Sequence, residues 1–182
     1  MRLVKDGSVI DDAYLRVLDS PIPQDGAVLL PAERLLADAA DLIDSRARIG
    51  VLWPNNRPVA ELVAHLPQLA LVALNFPTFR DGRAYSQARV LRERYNFRGE
   101  LRATGDVLRD QLLFMQRAGF DAFEVKKAAD VAAFTKSADR FHAVYQPAAD
   151  RRATAYQQRR HDAELVSGAG TVQSKEPLLH SL

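Results

Sequence analysis

The chain has 182 residues, 47% of them hydrophobic and 26% charged, with a formal net charge of +2 and no cysteine. That composition describes one folded domain with an apolar core; it excludes wholesale disorder, disulfides, thiolate nucleophiles and cysteine-held clusters. The near-neutral balance argues against nucleic acid or an acidic membrane as partner. No stretch reaches the ~18 apolar residues of a membrane helix. The opening MRLVKDGSVIDD lacks the apolar run of a signal peptide, so cytoplasmic residence is expected.

In chain order, Leu3-Val4 and Val9-Ile10 flank the turn residues Lys5-Asp6-Gly7-Ser8, the pattern of a short hairpin. Pro21 and Pro23 break any helix in the rest of this lead-in. Ala27–Leu30 is a short apolar run, and Pro31 suits the first turn of a helix carrying Leu35, Leu36, Ala39, Leu42 and Ile43. Ile49–Trp53 is the next run, ended by Pro54 and Asn55; Val59, Leu62, Val63 and Leu66 then follow at helical spacing. Leu69–Phe76 is continuous, apolar and closed by Pro77, as a strand buried on both faces would be.

Arg83–Tyr95 reads as a helix with Ala84, Ala88, Leu91 and Tyr95 on one face, and Gly99–Ala103 as a short strand. Asp106 is a natural N-cap for a helix over Val107–Ala118, which Gly119 would end. Ala122–Val125 is a last strand and Ala128–Ala138 a further helix. The fold expected is α/β: a mainly parallel sheet of about five βα units, closed either as a doubly wound sheet or as a partial (β/α) barrel, after a hairpin-like lead-in. Residues 1–147 form this single domain. Residues 148–182 are expected to be an exposed helix, with Arg151, Arg152, Arg159 and Arg160, followed by a mobile tail from Ser167.

Ligands in such sheets sit at the carboxyl ends of the strands, which draws attention to the loops Pro54–Arg57, Pro77–Arg83 and Thr104–Asp106. Between Arg80 and Asp110 the chain carries eight arginines and no lysine. Guanidinium forks match oxyanions at two points. Asp81, Gly82, Arg83, Tyr85, Ser86, Arg102, Thr104, Asp106 and Arg109 are therefore the candidate ligand-binding set, and a small oxyanion such as sulfite, sulfate or phosphate is the candidate ligand. The competing structural reading has Arg89, Arg92 and Arg94 on a solvated helix face with Glu93, and Glu100, Asp106 and Asp110 tying up Arg102 and Arg109.

Other signals are weaker. His65, His142, His161 and His180 form no metal-ligand pattern. No dinucleotide or P-loop glycine pattern occurs, and Gly168-Ala169-Gly170 follows no strand, so no cofactor and no metal are expected. Ser86 has no histidine nearby in sequence. Tyr85 and Trp53 suit packing, and Asn55 and Asn56 suit a turn beside Arg57. No catalytic residue is assigned.

The run Ala73–Val125, ALNFPTFRDGRAYSQARVLRERYNFRGELRATGDVLRDQLLFMQRAGFDAFEV, resembles a bacterial domain-of-unknown-function family usually encoded beside the sulfite reductase haemoprotein and described as an oxidoreductase involved in sulfite reduction. The family's pattern FPxFxDGRxYSxARxLRER falls on Phe76–Arg94, GELRAxGDVLRDQ on Gly99–Gln111 and GFDxFE on Gly119–Glu124; a fainter likeness runs from about Arg2 to Gln146. Asp81, Gly82, Arg83, Tyr85, Ser86, Arg89, Arg92, Glu100, Arg102, Asp106, Arg109, Asp110 and Gln111 match, with Arg80 at a freer position. The resemblance implies a place in assimilatory sulfur metabolism, with the haemoprotein as partner. No residue pattern here supplies a self-contained redox centre. Two readings stand: an accessory protein of sulfite reduction holding an oxyanion at the strand ends, or a non-catalytic interaction module docking on sulfite reductase or another sulfur-assimilation protein, a role open to a homodimer.

Overall fold

The computed structural model describes residues 2–42, 45–126, 129–132, 144–149 and 152–169. The chain divides into two units, Met1–Phe141 with Ala148–Asp150, and His142–Pro147 with Arg151–Leu182. In the first, eight strands make one sheet: β1 (Arg2–Lys5), β2 (Ser8–Ile10), β3 (Leu15–Arg16), β4 (Ala27–Pro31), β5 (Arg48–Trp53), β6 (Leu69–Phe76), β7 (Glu100–Gly105) and β8 (Ala122–Val125). Their order is β2-β1-β8-β7-β6-β5-β4-β3. β3 to β8 are parallel neighbours throughout, while β1 pairs antiparallel with β8 and with β2. The β1–β2 turn places Asp6 and Gly7 at φ 50° and 73°, the left-handed pair that a tight hairpin needs.

This order decides between the two closures. A doubly wound sheet reverses its order at a switch point; here β3 to β8 follow one another without reversal, so the sheet winds one way and curls into a half-barrel. Chain length demands the curl. β2 and β3 are the two edges, which in a flat sheet of eight strands would stand about 34 Å apart. Ile10 and Leu15 are five residues apart, a reach of about 18 Å at most. Residues 11–14 therefore strap the open side of the barrel. The expected five strands become eight because the hairpin adds two and β3, two residues long, is too short to show a period.

Alternation along each strand sorts side chains onto two faces. Val28, Leu30, Ile49, Val51, Trp53, Val72, Leu74, Phe76, Leu101, Ala103, Phe123 and Val125 join the main core. That core takes in Ala84, Ala88 and Leu91 from α2 (Arg83–Arg89) and the π-turn Val90–Arg94 that continues it, and Leu112, Met115 and Ala118 from α3 (Leu112–Ala118). The opposite, concave face holds only a small apolar cluster, Tyr14, Leu29, Leu71 and Ala73. Gly50 lies there too; a Cβ would meet the Leu71 side chain at 2.7 Å and the Tyr14 ring at 3.2 Å.

Several expected helices shorten. The first, α1, spans only Ala32–Ala37, and the segment after Pro58 is a pair of 3-10 turns, Val59–Leu62 and Leu66–Gln68, the second with Pro67 at its start. Asp106 does not cap a helix: Leu108 is extended, and the chain enters α3 through a 3-10 turn at Arg109–Gln111. Gly119 ends α3 in the left-handed conformation at φ 106°, as its position predicts. Of the predicted helix Ala128–Ala138, residues 129–132 are helical and the others lie outside the described residues, as do residues 170–182 of the predicted tail.

In the second unit the helix Ala155–Ala169 opens on a reciprocal cap. The Thr154 hydroxyl accepts the Gln157 N–H at 3.2 Å, and the Gln157 side chain accepts the Thr154 N–H at 2.8 Å.

Candidate functional site

The predicted site residues separate into two groups. β7 reads Glu100-Leu101-Arg102-Ala103-Thr104, so strand alternation turns Glu100, Arg102 and Thr104 onto the concave face, where Glu124 of β8 joins them. The Arg102 side chain is 1% exposed. It reaches Asp12 at 2.8 Å and Glu100 at 3.0 Å, with Glu124 at 3.7 Å. Arg16 places one guanidinium nitrogen 2.6 and 2.7 Å from the two oxygens of Glu124, and the Thr104 hydroxyl donates to the same carboxylate at 2.8 Å. Lys5 bridges Glu100 at 2.9 Å. The Tyr14 ring carries Arg102 at 5.4 Å and Arg48 at 5.5 Å.

The strap contributes every second residue to this network: Asp12, Tyr14 and Arg16 face inward. Arg16, on the edge strand β3, meets Glu124 five places across the sheet, so the pair ties the curl shut. Burial works against the charge of Arg102, yet the Asp12 and Glu100 carboxylates outweigh it and raise its pKa above the usual arginine value. The hydrogen bond to Glu100 likewise raises Lys5, and burial raises the Tyr14 hydroxyl.

The second group lies on the rim formed by the loops after the strands. Arg83 grips Asp81 with both ends of its fork, at 3.0 and 2.6 Å. This pair holds the Asp81 carboxyl well below the usual range; the buried Asn55 amide faces the same carboxylate without a hydrogen bond of normal geometry. Asp106 accepts from Lys126 at 3.2 Å and from the Phe79 N–H at 3.0 Å, and these two contacts lower its pKa. Gln111 donates to the Phe79 carbonyl at 3.0 Å. Phe79 is 40% exposed with Arg80 stacked 5.4 Å over its ring, and Phe114, one turn beyond Gln111, is 67% exposed. Arg109, Gly82 and Ser86 are exposed. Tyr85 packs edge-on against Phe76 at 5.2 Å, and burial raises its hydroxyl pKa. Two clefts, one between Ile22 and Asp41 and one beside Tyr95–Gly99, lie at the amino ends of the strands, away from this rim.

The structure thus brings Asp81, Gly82, Arg83, Ser86, Asp106 and Arg109 to the rim loops and their flanking turns. Tyr85 goes into the helix-side core, and Arg102 and Thr104 into the barrel. Arg102 stands in mid-strand on the concave face, so it does not join the rim ligand set expected for it. Arg92 leaves the solvated helix face expected for it and acts as a clamp: it donates to the carbonyls of Gly119, Phe97 and Gly99 and pairs with Asp121. Sequence reasoning passed over Asp12, Arg16 and Glu124. Glu124 carried a signal, a lone charge inside the apolar strand Ala122–Val125; Asp12 and Arg16 lay in a stretch with no visible period.

Among the described residues, no group of three or more histidine, aspartate or glutamate side chains is placed to hold a metal ion. No helix among them is long and apolar enough to cross a membrane. A family model described as bacterial protein of unknown function (DUF934) matches residues 50–156, more than half of the chain. No curated protein matches it.

Proposed function

The chain belongs to the DUF934 family of bacterial proteins of unknown function, and we propose that it serves sulfite reduction as a non-catalytic cytoplasmic accessory that docks on the sulfite reductase haemoprotein. The resemblance over Ala73–Val125 supplies the pathway and the partner. One observation carries the mode of action: the rim exposes Phe79 under Arg80, and Phe114 is exposed one turn beyond the Gln111 that binds the Phe79 carbonyl, while the buried Arg102 guanidinium is already spent on the protein's own carboxylates. Exposed aromatic and arginine side chains are the residues that anchor protein interfaces. Co-expression with the haemoprotein and affinity capture tests this. Wild type retains the haemoprotein, and a Phe79→Ala/Arg80→Glu variant loses it at least tenfold. Equal capture by both proteins, or none by wild type, overturns the reading.

The second reading is an oxyanion at the rim, drawn by Asp81-Gly82-Arg83, Ser86, Asp106 and Arg109. The exposure of Arg109 and Arg80 favours it; the closed Arg83–Asp81 fork weighs against it. Sulfite titration that is weakened by Arg109→Gln and unaffected by Phe79→Ala supports this second reading over docking.

A further inference from the structure

We propose that Arg102 anchors an internal site for a small, singly charged oxyanion or carboxylate, and that Asp12 on the strap is the built-in occupant that a free anion displaces. Three observations carry it.

The first is what holds Arg102. Glu100 is its neighbour on β7, and Glu124 stands on the adjoining strand β8, so both are fixed in the sheet. Asp12 alone arrives from the strap, and its side chain is 32% exposed while that of Arg102 is 1% exposed. The exchangeable partner therefore faces solvent and the anchor does not. A buried guanidinium fork presents a fixed two-point geometry to whatever carboxylate or oxyanion takes Asp12's place.

Charge balance is the second. With Asp12 in place, the ion-paired cations Lys5, Arg16 and Arg102 meet Asp12, Glu100 and Glu124, three against three, and Arg48 adds a further positive charge over the Tyr14 ring. Withdrawing Asp12 removes one negative charge from a set that already carries an excess of cations, and one monoanion restores it. An unbalanced buried charge is costly, so displacement without a replacement anion is opposed, and displacement by an anion is not.

The third is the strap itself. Its five-residue step spans the open side of the barrel, and its inward contacts are polar or cation–π: Asp12 to Arg102, Tyr14 between Arg102 and Arg48, and Arg16 to Glu124. The Asp12 carboxylate also accepts the Tyr14 N–H at 3.1 Å, so releasing Asp12 frees the strap's own turn.

The test uses the full chain, titrated calorimetrically with sodium sulfite, sulfate, phosphate and acetate against chloride of equal ionic strength, with hydrogen exchange read over residues 11–16. In wild type at least one anion binds and raises exchange in the strap several-fold. Asp12→Ala, with the size-preserving Asp12→Asn as second variant, binds the same anion at least tenfold more tightly because the competitor is gone. The identity of the tightest anion separates a sulfur oxyanion from phosphate or a carboxylate. Equal affinity in wild type and both variants, no binding by either variant, or binding without a change in the strap overturns the proposal. Neither measurement involves the rim or the haemoprotein, so this site and the docking surface fail independently.

Discussion

Arg102 inside the barrel and Arg83 on the rim both end on carboxylates, yet Arg102 reaches Asp12 across 90 positions of sequence and Arg83 reaches Asp81 across two. The inner pair joins the strap to β7 and, with Arg16 and Glu124, holds two sheet edges at the distance the short connection allows. The outer pair shapes a turn and constrains nothing distant. A buried ion loses its hydration on folding and must recover it from fixed partners, so breaking its contacts is costly; an exposed pair trades one solvated arrangement for another. Residue type alone does not distinguish the two, because what an arginine does follows from the face of the strand or loop that carries it.

The comparison is most open to breakage at Arg102. Replacing it by methionine leaves Asp12, Glu100 and Glu124 without their shared cation and should cost about 3–5 kcal/mol, measured by urea unfolding through the fluorescence of Trp53, the single tryptophan. A loss below 1 kcal/mol would erase the distinction between interior and rim. Arg16→Ala comes next. Its side chain is 44% exposed, but Glu124 is 4% exposed and keeps Thr104 and the more distant Arg102. The expected cost is about 1–2 kcal/mol, accompanied by faster hydrogen exchange in β3.

On the outside the effects shrink. Arg89→Ala breaks an exposed i, i+4 pair with Glu93 and should move stability by less than about 0.5 kcal/mol. The smallest effect is read in acid. Lys126 and the Phe79 N–H lower the Asp106 pKa in the folded protein. Its contribution is therefore present at neutral pH, above the ordinary aspartate value, and is lost as the pH falls through the lowered one. Asp106→Asn should lower the neutral plateau slightly and remove the same small amount from the acid fall, so that the two curves converge at low pH; an unaltered acid slope would show that the contact contributes nothing.

Much of the architecture was legible in the sequence. The five apolar runs coincide with β4 to β8, the Asp6-Gly7 turn with the hairpin, and Gly119 with the left-handed end of α3, because periodicity and turn chemistry are local properties. Closure was not legible. It depends on which strands become neighbours, and Leu15–Arg16 is too short to announce itself as an edge. The candidate site was legible in part for the same reason. The loop Asp81-Gly82-Arg83 lies where its turn signal puts it. The strand expected over Gly99–Ala103 already contains Arg102, but which face of the sheet its side chain takes depends on the curl, and the concave face carries it into the barrel instead of to the rim. Arg92 misled through its neighbours: helical spacing from Arg89 suggests a common solvated face, but the π-turn at Val90–Arg94 turns it toward four partners in other segments.

The pairing of β1 with β8 has a consequence for how the protein is made. Residues 2–5 pair with β2 locally but join the rest of the sheet through residues 122–125, so the β1–β2 hairpin waits for the last strand of the sheet before it can dock. Until then Lys5, Asp12 and Arg16 have no partners from β7 and β8, and the growing parallel sheet keeps an unpaired edge at each new strand. Final assembly is a single long-range step, slow by its sequence separation, and any chain that stops short of β8 holds a hairpin and a strap with nothing to fasten to.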